Sequence, residues 1–175
     1  MWRLLLVAGL AAGLAQADEH WLRFQSGPFQ VFTDAGARAG REMLVRFEEF
    51  RYALGEVIGD TGIQTPQPVR ILLFRNAGES DPFRTPEPIH RGRDLFNIVL
   101  TSGQPVPPDV FRDATKLFLE TAVARMPAHL ERGIVEFFST IEVNGIRITV
   151  GKPPAGRDLD WARVQIGRES CRERV

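Results

Sequence analysis

From Ala37 to Ile58 the apolar residues Met43, Phe47, Phe50, Leu54 and Val57 fall three or four apart, with Arg and Glu between them. One stripe about 100° wide predicts a long amphipathic helix. Thr33 or Asp34 offers a side-chain cap at its start, and Gly59 offers a stop. Just before it, "PFQVFTDAG" sets Phe29, Val31 and Thr33 against Gln30 and Phe32, the period of two that marks a short strand. Val69–Phe74 is apolar apart from Arg70, and Leu95–Leu100 is a second apolar run. Both predict strands covered on both faces. Between them, "RNAGESDPFRTPEPIHRGRD" is rich in Pro, Gly and charge and predicts a surface loop. A loop of roughly twenty residues is uncommon in a compact domain, so it is either functional or hides a short strand.

"GQPVPPD" breaks the chain, with Pro107 and Pro108 where a helix begins but does not continue. Val110, Ala114, Leu117, Phe118 and Ala122 then predict a helix over Asp109–Arg125 with those residues buried. Pro127 forces a corner before a shorter helix, Ala128–Phe138. "STIEVNGIRITVG" places two alternating stretches around Asn144-Gly145, the pair preferred in a two-residue hairpin turn. Strand, long helix, strands, two helices and hairpin add up to an α+β domain with a small mixed sheet and its helices on one side.

Composition narrows the function classes. Lys and Arg total 22 against 22 Asp and Glu, so no net field draws in nucleic acid or an anionic membrane. Residues 1–17 carry Arg3, an apolar run from Leu4 to Leu14 and Ala15-Gln16-Ala17, the layout of a secretory signal peptide. Export to the periplasm or the exterior is expected, with the mature chain starting near Asp18, no membrane span after cleavage, and no cysteine placed to accept a lipid. The domain is expected to occupy 18–164. The tail, residues 165–175, holds the only cysteine, Cys171; from Ile166 onward it resembles a translated sequencing-adapter oligonucleotide with one substitution. It is therefore expected to be non-native, and the domain truncated.

The order of elements and the phrase "MPAHLERGIVEFFSTIEVNGIRITVGKPP" resemble the peptidase MA-like group of gluzincin metallopeptidases, which have a zincin fold and in exported proteins often precede tetratricopeptide repeats. The resemblance covers about Phe24 to Pro154. In that family one helix carries HExxH, whose two histidines bind zinc while the glutamate activates water, and a later helix carries a phrase like LPxWLxEGLAEYF, whose first glutamate is the third ligand. Met126-Pro127 match the leading Leu-Pro, Leu130 the leucine, Gly133 the glycine and Glu136 the second glutamate. The family spacing then puts Arg112 and Lys116 at the histidines, Asp113 at the catalytic glutamate, Arg132 at the third ligand and His129 at the tryptophan.

Arginine keeps its proton in proteins and offers a metal no lone pair, and lysine needs a large pKa depression to do so. The resemblance therefore implies a domain whose zinc ligands are lost, with no cofactor and no catalytic residue. The expected role is non-catalytic binding of a peptide or protein partner, with Arg112, Lys116 and Arg132 as a cluster that holds a carboxylate. Asp113 is expected to partner a nearby base, Glu136 to pair with Arg132, and Lys116 with Glu120 one turn on. The alternative is an active zinc-dependent peptidase using His129, Glu131 and Glu136 with His90. An exported α+β domain whose likeness to the family is accidental is the third reading.

Overall fold

A computed structural model describes residues 21–123, 125–144 and 147–152. The expected signal peptide, the start and end of the expected domain, the tail with Cys171, and Gly145 of the hairpin turn lie outside the described residues.

The fold is a mixed α+β domain built on an open five-stranded sheet. Strands β1 (Leu22–Ser26) and β2 (Phe29–Thr33) are followed by α1 (Ala37–Ile58) and β3 (Val69–Phe74). Next come α2 (Ala77–Ser80), a 3-10 turn at Asp81–Phe83, β4 (His90–Arg91) and β5 (Phe96–Thr101). Helices α3 (Pro108–Ala122) and α4 (Ala128–Ser139) precede β6 (Glu142–Asn144) and β7 (Arg147–Thr149). The sheet order is β1-β2-β3-β5-β4, parallel through β2, β3 and β5 and antiparallel at both edges. β6 and β7 form a separate antiparallel ribbon.

Strand alternation sends Phe29, Val31, Val69, Ile71, Leu73, Phe96, Ile98 and Leu100 to one face, where all are buried. Helices α1 and α3 pack there through aromatic rings: Phe29 meets Phe47 and Phe118 at centroid distances of 5.3 and 5.9 Å. Phe50 is the hub, with Phe111 at 5.2 Å, Phe118 at 6.1 Å and Phe138 at 6.2 Å, so one side chain joins α1, α3 and α4. Gly40 lets α1 approach closely: a Cβ there would sit 2.5 Å from the Phe24 ring.

Several expectations need correction. The strands are not covered on both faces: Gln30, Phe32, Arg70, Leu72, Asn97 and Val99 are only partly buried. β1 was not expected; the loop between β3 and β5 does hide a short strand, β4, and holds α2 and the 3-10 turn as well. Neither Thr33 nor Asp34 caps α1. Thr33 Oγ1 accepts the Ala35 N–H within the turn, and Asp34 Oδ1 accepts the Arg75 N–H just past β3, so both are already used; Gly36 occupies the cap position. Gly59 does stop α1, at φ 81°. Val57 is 55% exposed and Ile58 instead packs against the core, because a step of four from Leu54 continues the stripe. α3 ends at Ala122 rather than Arg125, where Val123 turns extended. Ala122 is exposed, while Phe111, Thr115 and Leu119 are buried because α3 is covered from more than one side.

Among the described residues no helix is long and apolar enough to cross a membrane.

Candidate functional site

The polar face of α3 follows from its apolar one. With Phe111, Ala114, Leu117 and Phe118 turned inward, Arg112, Asp113, Lys116 and Glu120 are left toward α4 and β4. On α4, Val135 and Phe138 are buried, while Arg132 and Glu136, one turn apart, are exposed.

Arg112 bridges the two helices. Its Nε donates to Glu136 Oε1 at 3.2 Å and its Nη2 to Glu136 Oε2 at 3.3 Å, while Nη1 pairs with Asp109 Oδ1. The Glu136 hydrogen bond is the main reason that the Arg112 guanidinium holds its proton even more tightly than usual; burial pulls the other way, and Asp109 adds to the hold. Glu136 thus pairs across the helices with Arg112 and not, as expected, with Arg132 on its own helix. The geometry is that of a two-pronged guanidinium–carboxylate pair.

A cleft of about 470 Å³ lies between β4 and α3, lined by Glu87, Ile89, His90, Arg91, Asp113, Lys116 and Leu117. Inside it Lys116 Nζ stands 3.4 Å from Asp113 Oδ1, so Asp113 does partner a nearby base. Lys116 does not pair with Glu120, because Glu120 is taken by Arg91 from β4 through two hydrogen bonds of 2.9 and 3.0 Å. That contact fastens the edge strand to α3 and raises the Arg91 pKa, chiefly through the Glu120 hydrogen bond.

Of the five positions that the sequence resemblance singles out, Arg112 and Glu136 are in direct contact and Asp113 and Lys116 share the cleft, while Arg132 sits on the exposed side of α4. The three cations do not form an open anion cradle: Arg112 is occupied by two carboxylates and Lys116 by one. His90 belongs to the cleft wall although it lies in the presumed loop, and His129 is exposed in the first turn of α4. Sequence reasoning missed Asp109 and Arg91, and gave Glu120 the wrong partner. Only the i, i+3 spacing of Asp109 and Arg112 was a local signal.

The donor set does not suit zinc. Arg112, Lys116 and Arg132 offer it no lone pairs, and among the described residues no three of His, Cys, Asp and Glu are grouped to hold a metal ion. His90, His129, Glu131 and Glu136 accordingly form no such group. Compared with known proteins, the chain matches no family model, no curated protein and no solved structure.

Proposed function

We propose that the chain carries an exported, zincin-like domain of the peptidase MA-like kind that has lost its metal ligands and acts as a non-catalytic module for a peptide or protein partner. The carrying observation is the Arg112–Glu136 pair with Asp109. An ion pair joins α3 to α4 at positions where the resemblance puts a histidine ligand and a glutamate of the second motif. The order of sheet, long helix and paired helices supports the same reading. Partner binding is supported by the cleft beside β4, an edge strand with one side unpaired in the sheet. An extended peptide lying along β4 has backbone groups to pair with and charged side chains within reach.

The test restores what the resemblance says was lost. Arg112→His, Asp113→Glu, Lys116→His and Arg132→Glu together rebuild the family motif; the folded variant is expected to bind one zinc ion per chain by elemental analysis, and the parent none. A folded variant that stays metal-free sinks the zincin reading. Stoichiometric zinc in the parent, with chelator-sensitive cleavage of a generic protein substrate, replaces the non-catalytic reading with an active peptidase. Peptide capture from a random pool that is indifferent to Lys116→Glu removes the cleft from the proposal.

A further inference from the structure

The face of the sheet turned away from α1 and α3 carries a second constellation. Strand register sets Gln25, Gln30, Arg70, Asn97 and His90 in one row across all five strands, and Arg23, Phe32, Leu72 and Val99 in another. The guanidinium carbons of Arg70 and Arg23 lie 5.1 and 5.7 Å from the centroid of the Phe32 ring, so a single ring positions two cations. Among the described residues no ion pair or side-chain hydrogen bond involves Arg70, and its Nε is buried without an acceptor. This sets Arg70 apart from Arg51, Arg91 and Arg112, each of which meets a carboxylate. A partly buried guanidinium left without an acceptor is costly, and an arriving carboxylate relieves that cost.

A pocket of about 270 Å³ opens at this place. Arg70, Asn97 and His90 supply donors, and Leu72, Val99 and Phe83 supply apolar wall. Thr85 completes the lining, but its hydroxyl already donates to the Glu87 carbonyl. No carboxylate lines it. The Phe83 ring is held in place by stacking on Phe74 at 5.2 Å. Ligand pockets of this small size hold a compact group, and a few convergent donors against apolar walls fix its orientation.

We infer that this pocket binds a carboxylate carried next to one apolar or aromatic group, with Arg70 as the anchor and Phe83, Leu72 and Val99 around the apolar part. The chemistry is shared by a small organic acid and by the C-terminal residue of a peptide. The site lies on the far face of the sheet from α3 and does not depend on the metallopeptidase-like reading.

The experiment titrates the full chain with 3-phenylpropionate, with acetyl-Gly-Gly-Phe and with the amide of that tripeptide, read by amide chemical shifts and by calorimetry. Binding of both acids and not of the amide, with shifts centred on Asn97 and Val99, supports a free small acid as ligand. Binding of the tripeptide acid alone supports a peptide C-terminus. Arg70→Gln is expected to weaken either by about tenfold or more, and Arg70→Lys by less, because the charge is kept and the planar fork lost. Thermal unfolding shows whether each variant is folded, and Arg23→Gln serves as a second probe that leaves the β3 strand intact. Equal binding of the amide, no binding by either acid, shifts centred on Lys116, or unchanged affinity in folded Arg70→Gln overturns the site.

Discussion

The two faces of α3 are built by different physics. Toward the sheet, Phe111 and Phe118 enter a cluster of rings from α1, α4 and β2, and all of those rings are essentially removed from water. Toward α4 and β4, Arg112, Lys116 and Glu120 make ion pairs whose members stay partly in solvent. Apolar burial is non-directional and scales with area, so the first face holds the fold. Exposed ion pairs gain little over hydration, so the second face is free to vary.

Removing the hub tests the larger side of this contrast. Phe50→Ala leaves a cavity at the meeting point of three helices and is expected to cost about 3–5 kcal/mol, read by denaturant unfolding with an unchanged slope. A loss under about 1 kcal/mol shows that the core closes around the gap and that the ring cluster is not what joins α3 and α4 to α1.

Gly40→Ala tests the contact between α1 and the sheet edge. Its Cβ would meet Phe24 at 2.5 Å and Thr33 Cγ2 at 2.9 Å, both side chains packed under the helix. Overpacking of this kind costs about 1–3 kcal/mol, more than the gain in helix propensity of about 1 kcal/mol returns. A stabilised variant would show that β1 yields, and that this edge is less firmly held than the centre.

Gly133 gives the opposite case on α4. It lies inside the helix, and nothing stands within 4 Å of an added Cβ. Gly133→Ala is expected to stabilise by about 0.5–1 kcal/mol in the same unfolding measurement, by removing backbone freedom from the unfolded chain. A loss instead shows that α4 is packed more tightly at this position than the open space around Gly133 indicates.

The same contrast explains what could be read in advance. The bounds of α1 and β3 match their apolar periodicity because each buries one continuous set of residues, and Pro107, Pro108 and Pro127 punctuate α3 and α4 by local sterics alone. β1 escaped because Arg23 and Gln25 alternate with only Leu22 and Phe24 as strong apolar residues. The length of the loop pointed to a short strand but could not place β4, because two residues carry no period; its pairing with Asn97 and Phe96 creates it. In the candidate site, local spacing suggested Glu136 with Arg132 and Lys116 with Glu120. Tertiary placement decided otherwise by bringing Arg112 to Glu136 from another helix and Arg91 to Glu120 from the sheet edge. Charges on one helix can each reach several partners, and only the fold selects among them.

The smallest effect belongs to the Arg112–Glu136 pair. The Arg112 side chain keeps 30% of its exposure and that of Glu136 keeps 54%, so water and salt screen the pair, and Asp109 remains beside Arg112 when Glu136 is removed. A double-mutant cycle with Arg112→Gln and Glu136→Gln is expected to give a coupling of about 0.2–1 kcal/mol at low salt, shrinking toward zero near 1 M salt. The sign with pH is also set. Because the guanidinium pKa is raised in the folded state, its contribution is fully present below its ordinary value and is lost only as pH rises through the higher folded value. The arginine therefore adds no pH dependence between about 5 and 9. A coupling above about 2 kcal/mol that survives high salt would mean that the pair is sequestered on the scale of the core. The two faces of α3 would then differ in chemistry but not in strength.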